Sequence, residues 1–135
     1  MPVVASLPDG TVLAFAEDRY SHGDGNALQI VLRRSTSRGE TWGDVQVVVN
    51  DTDGRDAVMG DGVTNGMVVT DARSNRTFFF YNQCSHMCQY TKAFFISSDD
   101  SGKSWTPPVN ITDVLLPSKA HLAGVDVVQW GEGEG

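Results

Sequence analysis

Two stretches of this chain carry the same turn signature. Ser98-Asp99-Asp100-Ser101-Gly102-Lys103-Ser104-Trp105 reads S-x-D-x-G-x-S-W, and Ser35-Thr36-Ser37-Arg38-Gly39-Glu40-Thr41-Trp42 reads S-x-S-x-G-x-T-W. Each follows an apolar run (Leu28 to Leu32, and Ala93 to Ile96) and precedes another extended stretch. A repeated strand–turn–strand unit predicts repetitive all-β architecture.

The residue types explain why the motif turns. The Asp100 carboxylate can accept hydrogen bonds from N–H groups of its own loop, and Gly102 tolerates the positive φ that a tight turn demands. A hydroxyl at Ser98 or Ser104 can close the turn from the other side. Trp105 is too large and apolar to leave in water, so it is expected beneath the hairpin as an anchor, with Trp42 its counterpart. Ser37 replaces the carboxylate in the first copy and predicts a less tightly held turn. Ser35, Gly39, Trp42, Ser98, Asp100, Gly102 and Trp105 are therefore read as structural residues.

The repeat extends outward. Thr11 to Phe15 resembles Thr77 to Tyr81, each after a turn (Pro8-Asp9-Gly10; Ala72 to Asn75), and third strands are expected near Val45–Val49 and Val109–Thr112. Such a unit cannot bury both faces alone and must stack on neighbours. The expected fold is part of a β-propeller: about two blades of four-stranded antiparallel sheet, in units near 7–50 and 63–115. An independent small β-sandwich is the competing fold, and it requires a polar outer face on each sheet.

Composition narrows the partners. Ten basic against seventeen acidic residues give a net charge of −7, and no basic patch is concentrated enough to hold a nucleic acid or an anionic membrane. The apolar runs are strand-sized, so no transmembrane helix is expected. Met1 to Leu7 lacks the charged start and length of a signal peptide and reads as a strand entered mid-course. Cys84 and Cys88 flank Ser85-His86-Met87; a local disulfide and two reduced thiols are both open, and three soft ligands alone are a poor metal site. No cofactor or metal is expected. N-x-S/T triplets at Asn50, Asn75 and Asn110 lie at turns or strand ends and lean towards a secreted or lysosomal product.

The chemically richest segment is Glu17-Asp18-Arg19-Tyr20-Ser21-His22-Gly23-Asp24-Gly25-Asn26. A hairpin needs only two to five linking residues, so this polar loop exceeds what topology demands. Long polar loops on rigid β scaffolds commonly carry function. The structural alternative is a solvated loop with a weak Glu17–Arg19 surface pair. His22, His86 and His121 show no triad spacing and read as loop residues, while Asp126 interrupts an apolar run without an assignable role.

These residues resemble the sialidase (neuraminidase) superfamily of six-bladed propellers. The matching text is Leu7 to Arg19 (LPDGTVLAFAEDR), Gly23 to Asn26 (GDGN) and Ile30 to Thr36 (IVLRRST), together with the two Trp turns, which look like that family's Asp-boxes, and Asn110 to Asp113 (NITD). The resemblance implies an exo-α-sialidase that removes terminal α-linked sialic acids from glycoproteins, glycolipids or oligosaccharides. It implies Asp24 as general acid/base, Arg19 as an arginine at the O4 side of the sugar, and Glu17 as its acidic neighbour. Met59 and Asp61 fall where relatives build the pocket wall. The N-P-x-P-like segment of relatives is here Asn65-Gly66-Met67-Val68, without its prolines.

The family's three-arginine clamp, nucleophilic tyrosine and partner glutamate belong to an Arg-Ile-Pro motif and to later blades. Met1-Pro2 stands where that motif ends, so the chain is expected to be an incomplete N-terminal portion without turnover by itself. The alternative is a non-catalytic Asp-box propeller that binds a glycan or a protein.

Overall fold

Side chains alternate along each strand, and register determines which set is buried. The computed structural model describes residues 2–20, 27–51, 62–85 and 90–115. The first antiparallel sheet runs β1 (Val3–Ser6), β2 (Val12–Arg19), β3 (Ala27–Ser35) and β4 (Gln46–Asn50), each strand paired with the next. The second runs β5 (Gly62–Asp71), β6 (Arg76–Ser85), β7 (Tyr90–Ser98) and β8 (Val109–Asn110), followed by one helical turn, α1 (Thr112–Leu115). The architecture is all-β, a partial propeller arrangement of two four-stranded sheets, as the repeat predicts.

One face of each sheet meets the other. Leu13, Phe15, Ile30, Leu32 and Val49 from the first sheet share a core with Val63, Phe79, Tyr81 and Ile96 from the second. The Phe15 and Phe79 rings stack at 4.3 Å between centroids, and Trp105 meets Phe15 edge-on at 5.6 Å. Rings at these distances add to the area they bury. The close approach requires a glycine: a Cβ on Gly66 would lie 2.4 Å from Phe79 Cζ. Gly66 sits at a register shift in the β5–β6 pairing, between Thr64 and Met67.

The two sheets are related head to tail. Val12 lies opposite Ser35 and Thr77 opposite Ser98. The structural counterpart of Thr77 is therefore Val12, one residue from the Thr11 suggested by sequence likeness, and a one-residue slip exchanges faces. Leu13, Phe15 and Leu32, which face the second sheet, correspond to Phe78, Phe80 and Phe95, which lie on its far side. Those three rings form an aromatic cluster with centroids 5.8–6.3 Å apart. A sandwich would place polar side chains there, so the β-sandwich reading fails.

Both Trp turns close as their chemistry requires. Ser98 Oγ accepts from Gly102 N at 2.9 Å, and Asp100 Oδ1 accepts from Lys103 N and Ser104 N, each at 2.9 Å. Ser104 Oγ donates to Asp100 Oδ2 at 2.5 Å. In the first turn Ser35 Oγ accepts from Gly39 N and Ser37 Oγ from Thr41 N, both at 2.8 Å. There Glu40 N turns to the Ser37 carbonyl at 3.3 Å, because a hydroxyl cannot serve both amides as the Asp100 carboxylate does. Trp42 stays 39% exposed and donates its indole N–H to Gly39 O at 3.1 Å. Trp105 is half-buried against Phe15, and its buried indole N–H has no acceptor among the described residues.

The second turn also fastens the sheets together. Ser101 Oγ donates to Asp9 Oδ2 at 2.5 Å, Arg34 Nε donates to Ser101 O at 2.7 Å, and Gln46 Nε2 donates to Lys103 O at 3.1 Å. The last strand of the second sheet, β8, is shorter than expected. β8 ends at Asn110, and Thr112 Oγ1 accepts from Ala93 N at 2.9 Å, so a side chain finishes the ladder while the backbone enters α1. Cys84 is disulfide-bonded, which resolves that alternative, and Cys88 is the chain's other cysteine.

Two predictions follow from the turns. Gly39 and Gly102 both hold positive φ, 95° and 79°, but a Cβ at Gly102 would lie 2.8 Å from Leu13 Cδ2 whereas one at Gly39 meets nothing within 4 Å. Gly39→Ala is expected to cost about 1–2 kcal/mol for the backbone alone, and Gly102→Ala about 1–3 kcal/mol more for the overlap. Urea unfolding of both variants measures the difference; equal losses would contradict the docking of this turn.

The second prediction concerns acid. Partial desolvation pushes the Asp100 carboxyl up, but hydrogen bonds from Ser104, Ser98 and Lys103 outweigh it and bring the group from its ordinary 3.8 to about 2. A carboxyl lowered on folding stabilises above its unfolded value and loses that contribution as pH falls towards the folded value. Stability is expected to fall between about pH 4 and pH 2, less steeply in Asp100→Asn. Identical acid profiles for the two proteins would refute the Asp100 assignment.

Candidate functional site

The antiparallel order sends the two kinds of connection to opposite rims. The β1–β2 and β5–β6 turns and both Trp turns share one rim. The ends of β2, β4 and β6 share the other, with the starts of β3, β5 and β7. Glu17 and Arg19 stand on this second rim, at the end of β2. They are two residues apart on one face of the strand, and a register shift between Asp18 and Arg19 turns the chain just there. Such irregularities re-aim side chains at strand ends.

Glu17 is the pivot of the cluster. Its Oε2 accepts from Arg19 Nε at 2.7 Å and pairs with Nη2 at 2.5 Å. Its Oε1 accepts from Thr64 Oγ1 at 3.1 Å, across the boundary between the sheets. The Glu17 side chain is 7% exposed and that of Arg19 29%, so this is a buried carboxylate orienting a half-exposed guanidinium. The weak surface pair weighed from sequence is displaced by this geometry, because charge-assisted bonds away from water hold side chains more firmly. Thr64 was not legible as a partner. Its contact with Glu17 joins residues far apart in sequence, and a threonine near a strand start carries no signal.

A second polar cluster occupies the same rim. Asp51 N donates to Leu28 O at 2.8 Å, and Gln83 Nε2 donates to Asp51 Oδ1 at 2.7 Å, again between sheets. Burial and then the Asp51 charge push the Tyr81 phenol well above its usual range. That phenol stays protonated at neutral pH, and nothing in this arrangement activates it as a nucleophile.

The structure brings Glu17 and Arg19 together. Asp24, Met59 and Asp61 lie outside the described residues, as do His22, His86, His121, Cys88 and Asp126. Among the described residues no group of three or more His, Cys, Asp or Glu is placed to hold a metal ion, and no helix is long and apolar enough to cross a membrane. On the Trp-turn rim a groove of about 440 Å³ is lined by Arg34, Thr36, Thr41, Trp42, Asp44 and Gln46. None of the expected substrate residues lines it.

Comparison with known proteins agrees with this architecture. The family described as BNR repeat-like domain matches residues 1–134. A sialidase of Paraclostridium sordellii is 29% identical over 119 residues, covering 83% of this chain and 30% of that protein. Sialidase-3 of Mus musculus is 27% identical over 138 residues, covering 93% of this chain and 32% of that protein. The chain thus spans about a third of the length of these relatives.

Among solved structures, Hadza microbial sialidase Hz136 superposes with a TM-score of 0.71 at 21% identity, over 82% of this chain and 25% of that one. An alpha-L-arabinanase of Penicillium chrysogenum, complexed with arabinobiose, superposes at 0.54 and 19% identity, over 82% of this chain and 32% of that one. Similar sheets in proteins with different names show that the fold alone does not name a substrate. A family match across nearly the whole sequence leads to one conclusion: the chain belongs to the BNR repeat-like domain family.

Proposed function

We propose that this chain is part of an exo-α-sialidase, in which its loop rim supplies one side of the sugar pocket. The observation that carries the reading is the Glu17–Arg19 pair, with Glu17 nine-tenths buried and tied to Thr64. That arrangement aims a guanidinium at the loop rim, where it can donate to a sugar hydroxyl. A lone surface arginine would lack that orientation. Asp24 follows Arg19 by five residues in the sequence and takes the role of general acid/base. It gives its proton to the departing glycosidic oxygen, then removes one from the water that completes hydrolysis.

The nucleophile expected on the sialidase reading is a tyrosine, an exception among glycosidases. Repulsion between the substrate's own carboxylate and an Asp or Glu nucleophile accounts for that choice. Tyr81 does not fill this role, because its environment opposes ionisation. The carboxylate clamp and nucleophile are assigned to parts of the protein outside this chain, so the isolated chain is expected to be inactive. Sialylated glycoproteins, glycolipids or oligosaccharides are the proposed substrates, without a cofactor.

A secretory or lysosomal location is proposed with it. The Cys84 disulfide suits an oxidising compartment. Asn110 is exposed, whereas Asn75 donates to Ser101 at 3.2 Å with its Oδ1 buried. Peptide mapping is expected to find glycan at Asn110 rather than Asn75.

The catalytic assignment is tested on the full-length protein with a fluorogenic sialoside. Asp24→Ala is expected to lower kcat by roughly 10²–10⁴-fold, and Arg19→Ala to lower kcat/KM by about 10–100-fold, mainly through KM. Thr64→Val, which keeps the shape but removes the donor to Glu17, is expected to raise KM by a few-fold with kcat unchanged. Undiminished activity in Asp24→Ala would remove the acid/base role, and release of fluorophore by the isolated chain would contradict its incompleteness. Binding of sialosides without turnover by the full-length protein would favour the non-catalytic propeller.

A further inference from the structure

Arg33 stands where its counterpart in the second sheet is an apolar side chain. Ser35 and Ser98 are equivalent by strand register, which matches Arg33 in β3 to Ile96 in β7. Ile96 is fully buried, in the core that the second sheet shares with the first. Arg33 is exposed. Its neighbour Leu32 is fully buried on the side facing the second sheet, and side chains alternate along a strand, so Arg33 lies on the far face of the first sheet. Among the described residues no acid pairs with it.

The surface around Arg33 is apolar. Val4 and Ala14 share its cross-strand row, and Ala16, Val31 and Val47 form the next row. Val4, Val45 and Val47 are 62%, 58% and 47% exposed. The equivalent face of the second sheet is covered by the first, and Trp105 reaches across that joint to Phe15. Trp42, the counterpart of Trp105, is 39% exposed, and no sheet precedes its own among the described residues. A contiguous apolar face of this kind marks a contact surface. Covering it with apolar groups alone would hold the Arg33 guanidinium out of water without a counter-charge, which is strongly unfavourable. The covering element therefore has to bring a carboxylate.

We propose that the far face of the first sheet docks another segment of the same full-length polypeptide, lying outside residues 1–135, and that this segment sets an Asp or Glu carboxylate against Arg33. This chain covers 30% and 32% of two of its relatives, so a full-length protein of their size has ample chain for a further sheet. Covalent connection keeps such a segment at high effective concentration. A second copy is the poorer occupant. The far face of its second sheet carries Phe78, Phe80 and Phe95, and those rings offer a guanidinium a cation–π contact but no carboxylate. The proposal rests on the reading of the chain as part of a longer protein, and on no catalytic residue.

The test uses the full-length protein carrying Arg33→Lys, which keeps the charge and supplies an amine. A carbodiimide joins that amine directly to a carboxylate in contact with it, and mass spectrometry of the digest identifies the joined peptides. The expected product has the mass of one chain and links the peptide containing position 33 to a peptide outside residues 1–135. A link within residues 1–135, or none, would overturn the proposal, and a product of twice the mass would mean that a second copy is seated there instead. Melting temperature gives a second measurement. Arg33→Met is expected to lower it, and Arg33→Glu to lower it by about 5 °C more. Reversing the identified carboxylate to arginine in the Arg33→Glu protein is expected to restore most of the loss. Equal melting temperatures for wild type and both variants would mean that position 33 stays in water, which also overturns the proposal. Neither measurement depends on sialoside turnover, so failure of the catalytic reading and failure of this one are told apart.

Discussion

The stack of Phe15 on Phe79 is the contact on which the rest of this structure depends. Its rings lie 4.3 Å apart between centroids, closed on one side by the edge of Trp105 and made possible on the other by the missing side chain of Gly66. Neither sheet could bury Leu13, Leu32 or Ile96 alone, because a single twisted sheet leaves both faces in water. The stack also determines register. Moving either strand by one residue would turn its phenylalanine outward and bring Ala14 or Phe80 to the joint.

From that joint follows the division of labour between the rims. Sheets packed head to tail keep their strand directions in step, so the β1–β2 and β5–β6 turns gather at one end with both Trp turns, and the β2–β3, β4–β5 and β6–β7 connections belong to the other. The tight-turn end is bound by local hydrogen bonds and by the Asp9–Ser101–Arg34 latch between sheets. The other end carries Glu17, Arg19, Thr64 and Asp51, polar groups held across the sheet boundary. Rigid turns below and chemically varied loops above are a general way for β scaffolds to carry function.

Local chemistry was legible in the amino acids, and long-range placement was not. The Trp turns could be read because each hydrogen bond joins residues within a few positions, and the roles of Asp100 and Gly102 follow from side-chain chemistry alone. The weaker hold of Ser37 was visible for the same reason. By contrast, likeness between Thr11 and Thr77 pointed to the wrong register by one residue, since apolar runs such as Phe78-Phe79-Phe80 do not reveal which face is inward. The Glu17–Thr64 bond depends on how the sheets meet, and the Asn75–Ser101 bond on two turns of the second sheet that are far apart in sequence. A short spacing such as Glu17 to Arg19 survives folding intact, which is why that part of the site could be named in advance.

The head-to-tail joint is tested most directly by a double-mutant cycle on Phe15→Leu and Phe79→Leu, followed by urea unfolding. Each leucine keeps the site apolar, so the cycle isolates the ring-on-ring contribution. A coupling of about 0.5–1.5 kcal/mol between the two positions is expected. Effects that add to within about 0.3 kcal/mol would mean that the rings do not touch, and the packing of the two sheets described above would be wrong.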